Sequence, residues 1–115
     1  MPDPRFDIQR QPDGTMQVVL GARGSIDLDL ASGWAAHVLA EIERQRPTRI
    51  VIDASRSVAV ASAFYSGVIR IRDRSGLPRD SLLVHLGSDR MREAAHILGV
   101  DQLVTIMVGK APAPH

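Results

Sequence analysis

The period of apolar positions along the chain changes several times, and each change marks an element. Residues 16–22 (MQVVLGA) are an apolar run with β-branched centres, preceded by the turn signal Pro12-Asp13-Gly14. The run reads as a strand in a hairpin with a short strand near Phe6 to Ile8. From Asp29 the period lengthens: Trp34, Val38 and Ile42, flanked by Ala35 and Leu39, fall on one helical face until Pro47 ends the pattern. Residues 49–53 (RIVID) are apolar at their centre without alternation, as in a parallel strand buried on both sides.

Helical spacing returns after Ser62 with Tyr65, Val68 and Ile69, and Gly76-Leu77-Pro78 closes that segment. Residues 81–86 (SLLVHL) read as a strand. Ser88 is placed to cap a helix carrying Met91, Ala94, Ala95 and Leu98, and Gly99 is placed to stop it. Residues 103–108 (LVTIMV) make a last strand. The alternation predicts an α/β fold: a single domain with a small mixed β-sheet packed with α-helices near 29–45, 62–74 and 89–98. Its core spans about 6–108, and 109–115 is expected to be a flexible tail.

Composition narrows the function classes. The chain has 115 residues, no cysteine, and 14 basic residues set against 13 acidic ones, so neither disulfides, thiolate metal sites, cysteine nucleophiles nor a strongly basic nucleic-acid surface is expected. Neither a bilayer-spanning apolar run nor a signal-peptide pattern is visible, which predicts a cytoplasmic protein with no membrane partner. Lys110 is the single lysine. Arg70, Arg72 and Arg74, alternating with Ile71 and Asp73, read as one solvated helix face.

The segment richest in chemistry runs from Val51 to Ile69: a buried strand passes through a short loop and delivers Ser62 to the start of a helix. A hydroxyl there can cap the helix by accepting a backbone N–H. Alternatively it can carry a phosphate that the helix N-terminus stabilises. Two of the chain's four aromatic residues, Phe64 and Tyr65, follow at once. Helical spacing turns Tyr65 to the core and Phe64 partly away, which makes Phe64 a candidate exposed anchor for a partner protein.

Three segments resemble signatures of the STAS domain, the anti-sigma-factor antagonist family. Gly24-Ser25-Ile26-Asp27 looks like its Gly-Glu-Leu-Asp, Val51 to Ile69 looks like its Asp-Leu-Ser…Asp-Ser-Ser-Gly-Leu, and Arg92 to Leu103 resembles its closing helix, turn and strand. The resemblance implies a bacterial signal-transduction protein of transcription regulation that binds an anti-sigma factor with a serine-kinase fold. By the same resemblance Ser62 falls on the serine such antagonists present to that kinase. Ser25, Asp27, Phe64, Ser66 and Arg70 are partner-binding candidates, Phe64 as an exposed aromatic and not through the resemblance, whose role does not carry over to it. Ala61 stands where the family usually has Asp, and Phe64 where it usually has Gly. The alternative reading is a STAS-like scaffold or sensory module in which the serine is not a switch. A homodimer stays open, as does a small-ligand or anion-binding variant.

Other constellations carry less. Gly21-Ala22-Arg23-Gly24-Ser25 lacks the lysine and the following helix of a phosphate loop. Asp27 and Asp29 are spaced like the opening of a calcium loop, but Ala31 replaces the third oxygen ligand, and Asp29 is expected instead to cap the first helix. His37, His85, His96 and His115 lack close ligand spacing, so no metal and no cofactor is expected. An enzymatic reading would take Ser62 as nucleophile, His85 as base and Asp53 as orienter. The chain lacks the Gly-x-Ser-x-Gly elbow, and no catalytic residue is assigned.

Overall fold

The computed structural model describes residues 6–20, 24–26, 28–60 and 62–109. Its strands are β1 (Phe6–Arg10), β2 (Thr15–Leu20), β3 (Gly24–Ile26), β4 (Arg49–Ala54), β5 (Ser57–Val60), β6 (Leu82–Leu86) and β7 (Thr105–Val108). Its helices are α1 (Leu28–Gln45), α2 (Ser62–Ser75) and α3 (Asp89–Ile97). The main sheet has the order β1-β2-β4-β6-β7, with β1 antiparallel to β2 and the other pairs parallel. The architecture is the small mixed sheet with helices that the alternating periods predict.

Register aligns Met16, Ile50 and Leu82 in one row, and Val18, Ile52 and Val84 in the next. Because successive side chains of a strand point to opposite faces, these rows form one continuous apolar face. Trp34 and Val38 of α1, Val68 and Ile71 of α2, and Met91 and Ala95 of α3 join it in a single buried cluster. The opposite face holds the small pair Val51 and Leu83. It also holds Thr15, Gln17, Asp53 and His85, the buried polar residues among those described. The apolar run 49–53 hides this division, since both faces are buried and only one is continuous hydrocarbon.

Helix ends follow local chemistry. At the end of α1, Arg46 takes a left-handed conformation with φ 47 and its N–H bonds to the Ile42 carbonyl; Pro47 then prevents continuation. The Ser88 hydroxyl accepts from the Met91 N–H at 3.3 Å, as expected of a cap. Gly99, with φ +77, turns the chain out of α3 at little steric cost. Gly67 serves another need, because a Cβ there would lie 3.1 Å from the Ala35 Cβ and 3.3 Å from the Trp34 ring. The missing side chain lets α2 approach α1.

Several expectations change in detail. Helix α1 begins at Leu28, so Asp29 occupies its first turn rather than the cap. The last strand begins at Thr105 rather than near 103, because a single 3-10 turn at Val100–Gln102 uses the preceding residues. Arg70, Arg72 and Arg74 do not share one face, since a step of two residues rotates about 200° around a helix. Arg72 is half-buried and pairs with Asp73, whereas Arg74 reaches Glu43 of α1 at 2.9 Å.

Two predictions follow from this packing. Ile52 is fully buried, so Ile52→Ala should destabilise the fold by ~2–5 kcal/mol through lost transfer energy and a cavity. Chemical denaturation would measure it, and a loss below about 0.5 kcal/mol would match a surface site instead. Tyr65, the single tyrosine, is also buried, and burial pushes its phenol up to about 12 from 10.0. The folded state therefore holds this proton more tightly than the unfolded chain, and the associated stability, whole below pH 10, is lost as pH rises toward 12. Phenolate absorbance of the folded protein should stay flat through pH 10 and rise only near 12 or with alkaline unfolding; a midpoint at 10 in folded protein would contradict the burial.

Candidate functional site

The candidate site is built where β4 ends. The Asp53 carboxylate, buried at the strand end, accepts from the Ser55 backbone N–H at 3.0 Å and from the Ser55 hydroxyl at 2.5 Å. This local bonding shapes a tight turn through Ser55 and Arg56 that sends the chain into β5. Strand β5 then pairs in parallel with β3, aligning Gly24 with Ser57 and Ile26 with Val60. Two segments distant in sequence thereby meet two residues before Ser62. Ser25 lies on β3 beside this exit, while Asp27 and Ala61 fall outside the described residues.

Ser62 is the first residue of α2 and is exposed. Among the described residues its hydroxyl makes no hydrogen bond; only its carbonyl is engaged, by the Ser66 hydroxyl at 3.4 Å. Among the described residues no capping bond by Ser62 is found, and its hydroxyl is unbonded there at the positive end of the helix dipole. Ser66, Arg70 and Asp73 follow at helical spacing and are all exposed, so they continue one stripe from Ser62 along α2. Arg70 has no ion-pair partner among the described residues.

Phe64 corrects an expectation. Its ring is fully buried and is not an exposed anchor. It stacks on Trp34 with centroids 5.2 Å apart and planes at 22°, and it meets Tyr65 edge-on at 5.3 Å. The physical reason is rotational: two residues beyond Ser62, a side chain lies about 200° around the helix, facing α1 when Ser62 faces solvent. Tyr65, expected in the core, is there, and its hydroxyl donates to the Met91 carbonyl of α3 at 3.0 Å. The Trp34 Nε1 is buried without an acceptor among the described residues, at a cost of about 1–3 kcal/mol. The run of three aromatic residues joined by these two contacts was invisible to helical spacing alone, because Trp34 lies on α1, two strands earlier in the chain.

Among the described residues no hydrogen bond links the three residues that the enzymatic reading would use. Asp53 and His85 are register partners on adjacent strands, yet the Asp53 Oδ1 is occupied by Ser55 and the His85 Nδ1 lies 3.1 Å from the Gly109 carbonyl. No bond among described residues joins either to Ser62. No group of three potential metal ligands occurs among the described residues, and His96 is paired instead with Asp101 at 2.7 Å. No described helix is long and apolar enough to cross a membrane.

No protein-family model matches the chain, and no curated protein matches it in sequence. Solved structures do match it in three dimensions. The anti-sigma factor antagonist SpoIIAA in its unphosphorylated form superposes with a TM-score of 0.74 at 15% identity, covering 91% of this chain and 88% of that one. An anti-sigma factor antagonist from Mycobacterium paratuberculosis gives a TM-score of 0.68 at 17% identity, with 93% and 90% covered. A similar structure from Thermotoga maritima gives 0.69 at 14% identity, with 91% and 86% covered. The chain has the α/β STAS-type fold of these anti-sigma factor antagonists.

Proposed function

We propose that this chain is a non-enzymatic interaction domain that acts as an anti-sigma-factor antagonist in the cytoplasm and docks through the stripe of α2 that starts at Ser62. One observation carries the reading: an exposed serine hydroxyl with no hydrogen bond among the described residues stands at a helix N-terminus above a buried aromatic floor. A partner surface can donate to and accept from such a group without first breaking an internal bond. The kind of fold supports the kind of partner, an anti-sigma factor with a serine-kinase fold. Ser66 and Arg70 extend the contact along the helix, and Ser25 lies on β3, which pairs with the strand that precedes Ser62.

The same position suits a phosphoacceptor. Phosphate adds roughly −1.5 to −2 charges at pH 7, which the helix N-terminus stabilises and an interface fitted to a neutral hydroxyl rejects. Modification by the partner kinase would then release the complex while leaving the core intact. Ala61 favours a second reading, a non-switching scaffold, because no carboxylate adjoins the hydroxyl to orient it.

Variants at Ser62 separate these outcomes. Ser62→Asp should weaken partner binding by roughly ten-fold or more, about 1.4 kcal/mol, because its carboxylate becomes desolvated and unpaired. Its melting temperature should hold. Ser62→Ala should retain binding and block phosphate incorporation. Its stability should change by under about 0.5 kcal/mol, since its hydroxyl makes no cap bond among the described residues. Mass spectrometry after incubation with the cognate kinase and ATP checks the switch: phosphate on Ser62 supports it, and phosphate elsewhere, or none while the partner binds, leaves the scaffold.

A further inference from the structure

The first turn of α2 has an unusual burden. A helix start leaves N–H groups that side-chain caps ordinarily satisfy, and without a cap the first turn frays. Ala61 has no polar side chain, and the Ser62 hydroxyl makes no bond among the described residues. Among the described residues, the contacts that hold the turn presenting Ser62 come from outside the helix.

Two contacts do this, and they differ in kind. Phe64 stacks on Trp34 of α1, which fixes distance but tolerates sliding, because apolar contact is non-directional. Tyr65 donates its hydroxyl to the Met91 carbonyl of α3 at 3.0 Å, across 26 residues of sequence. Among the described residues it is the one side-chain hydrogen bond from the first turn of α2 to another element. A directional bond to a second helix resists both rotation of α2 about its axis and lifting of its end.

We propose that Tyr65 is the positioning residue of this site, its bond to the Met91 carbonyl locking the first turn of α2 against α3 so that Ser62 meets a partner in one orientation. The proposal rests on Ser62 being the docking and modification point. Burial keeps the phenol protonated through the physiological range, so the donor is always present. Met91 lies inside α3, where its carbonyl keeps a helical acceptor role when the phenol is removed, and Tyr65→Phe is accordingly a mild probe.

The test uses the full chain carrying Tyr65→Phe, with Ile71→Val as a core change farther along α2. Amide hydrogen exchange reads the anchoring at Ser66 and Gly67, whose helical acceptors are the carbonyls of Ser62 and Ala63. Tyr65→Phe should quicken exchange at these two amides roughly ten-fold, leave Arg72 to Arg74 unchanged, and lower affinity for the anti-sigma partner about three- to ten-fold. Ile71→Val should change neither the first-turn exchange nor the affinity. Unchanged exchange at Ser66 and Gly67, or equal quickening along all of α2, would overturn the proposal. So would local quickening with undiminished affinity for a partner that binds the wild type. Local quickening in a protein that binds no such partner would uphold the anchoring and defeat the docking reading instead.

Discussion

The stacking of Phe64 on Trp34 determines where α2 can lie, and the position of α2 determines what the protein exposes. For the rings to meet, α1 and α2 must approach closely, and Gly67 removes the side chain that would hold them apart. Once Phe64, Tyr65, Val68 and Ile71 face inward, helical geometry leaves Ser62, Ser66, Arg70 and Asp73 outward. The polar stripe is thus a consequence of the apolar one. A glycine in place of Phe64 would permit the same exposed pattern but would not press on Trp34.

The sheet contributes a second constraint. Its helix-facing rows are continuous hydrocarbon, whereas the reverse face gathers Thr15, Gln17, Asp53 and His85 around Val51 and Leu83. Buried polar groups need partners, and at the strand end Asp53 finds its own in the Ser55 N–H and hydroxyl. That local satisfaction shapes the turn into β5, which pairs with β3 and ends just before Ser62. A residue on the polar face of the sheet therefore helps aim a serine on the opposite layer.

The main elements were legible because their periods are strong and their ends carry chemistry: the Trp34, Val38 and Ile42 face, Ser88 as a cap and Gly99 as a stop all stand where the pattern places them. Ser62 at the head of a helix was legible for the same reason. The pairing of β3 with β5 was not, since three- and four-residue strands are too short to show a period and their register depends on the Asp53 turn. Phe64 was misread because a single angular step of about 100° separates inward from outward positions on a helix, and the decision belonged to Trp34. The aromatic floor is a tertiary feature, written in three residues that no local window contains together.

The central claim, that the exposed stripe of α2 is the docking surface, is tested most directly by following backbone amide resonances of the isotopically labelled protein as the anti-sigma partner that binds it is added. Shifts or broadening should concentrate at Ser62, Ser66, Arg70 and Asp73, with the β1 strand and the polar face of the sheet at Gln17 and Thr105 undisturbed. Perturbation centred on those sheet residues, with α2 unchanged, would contradict the account.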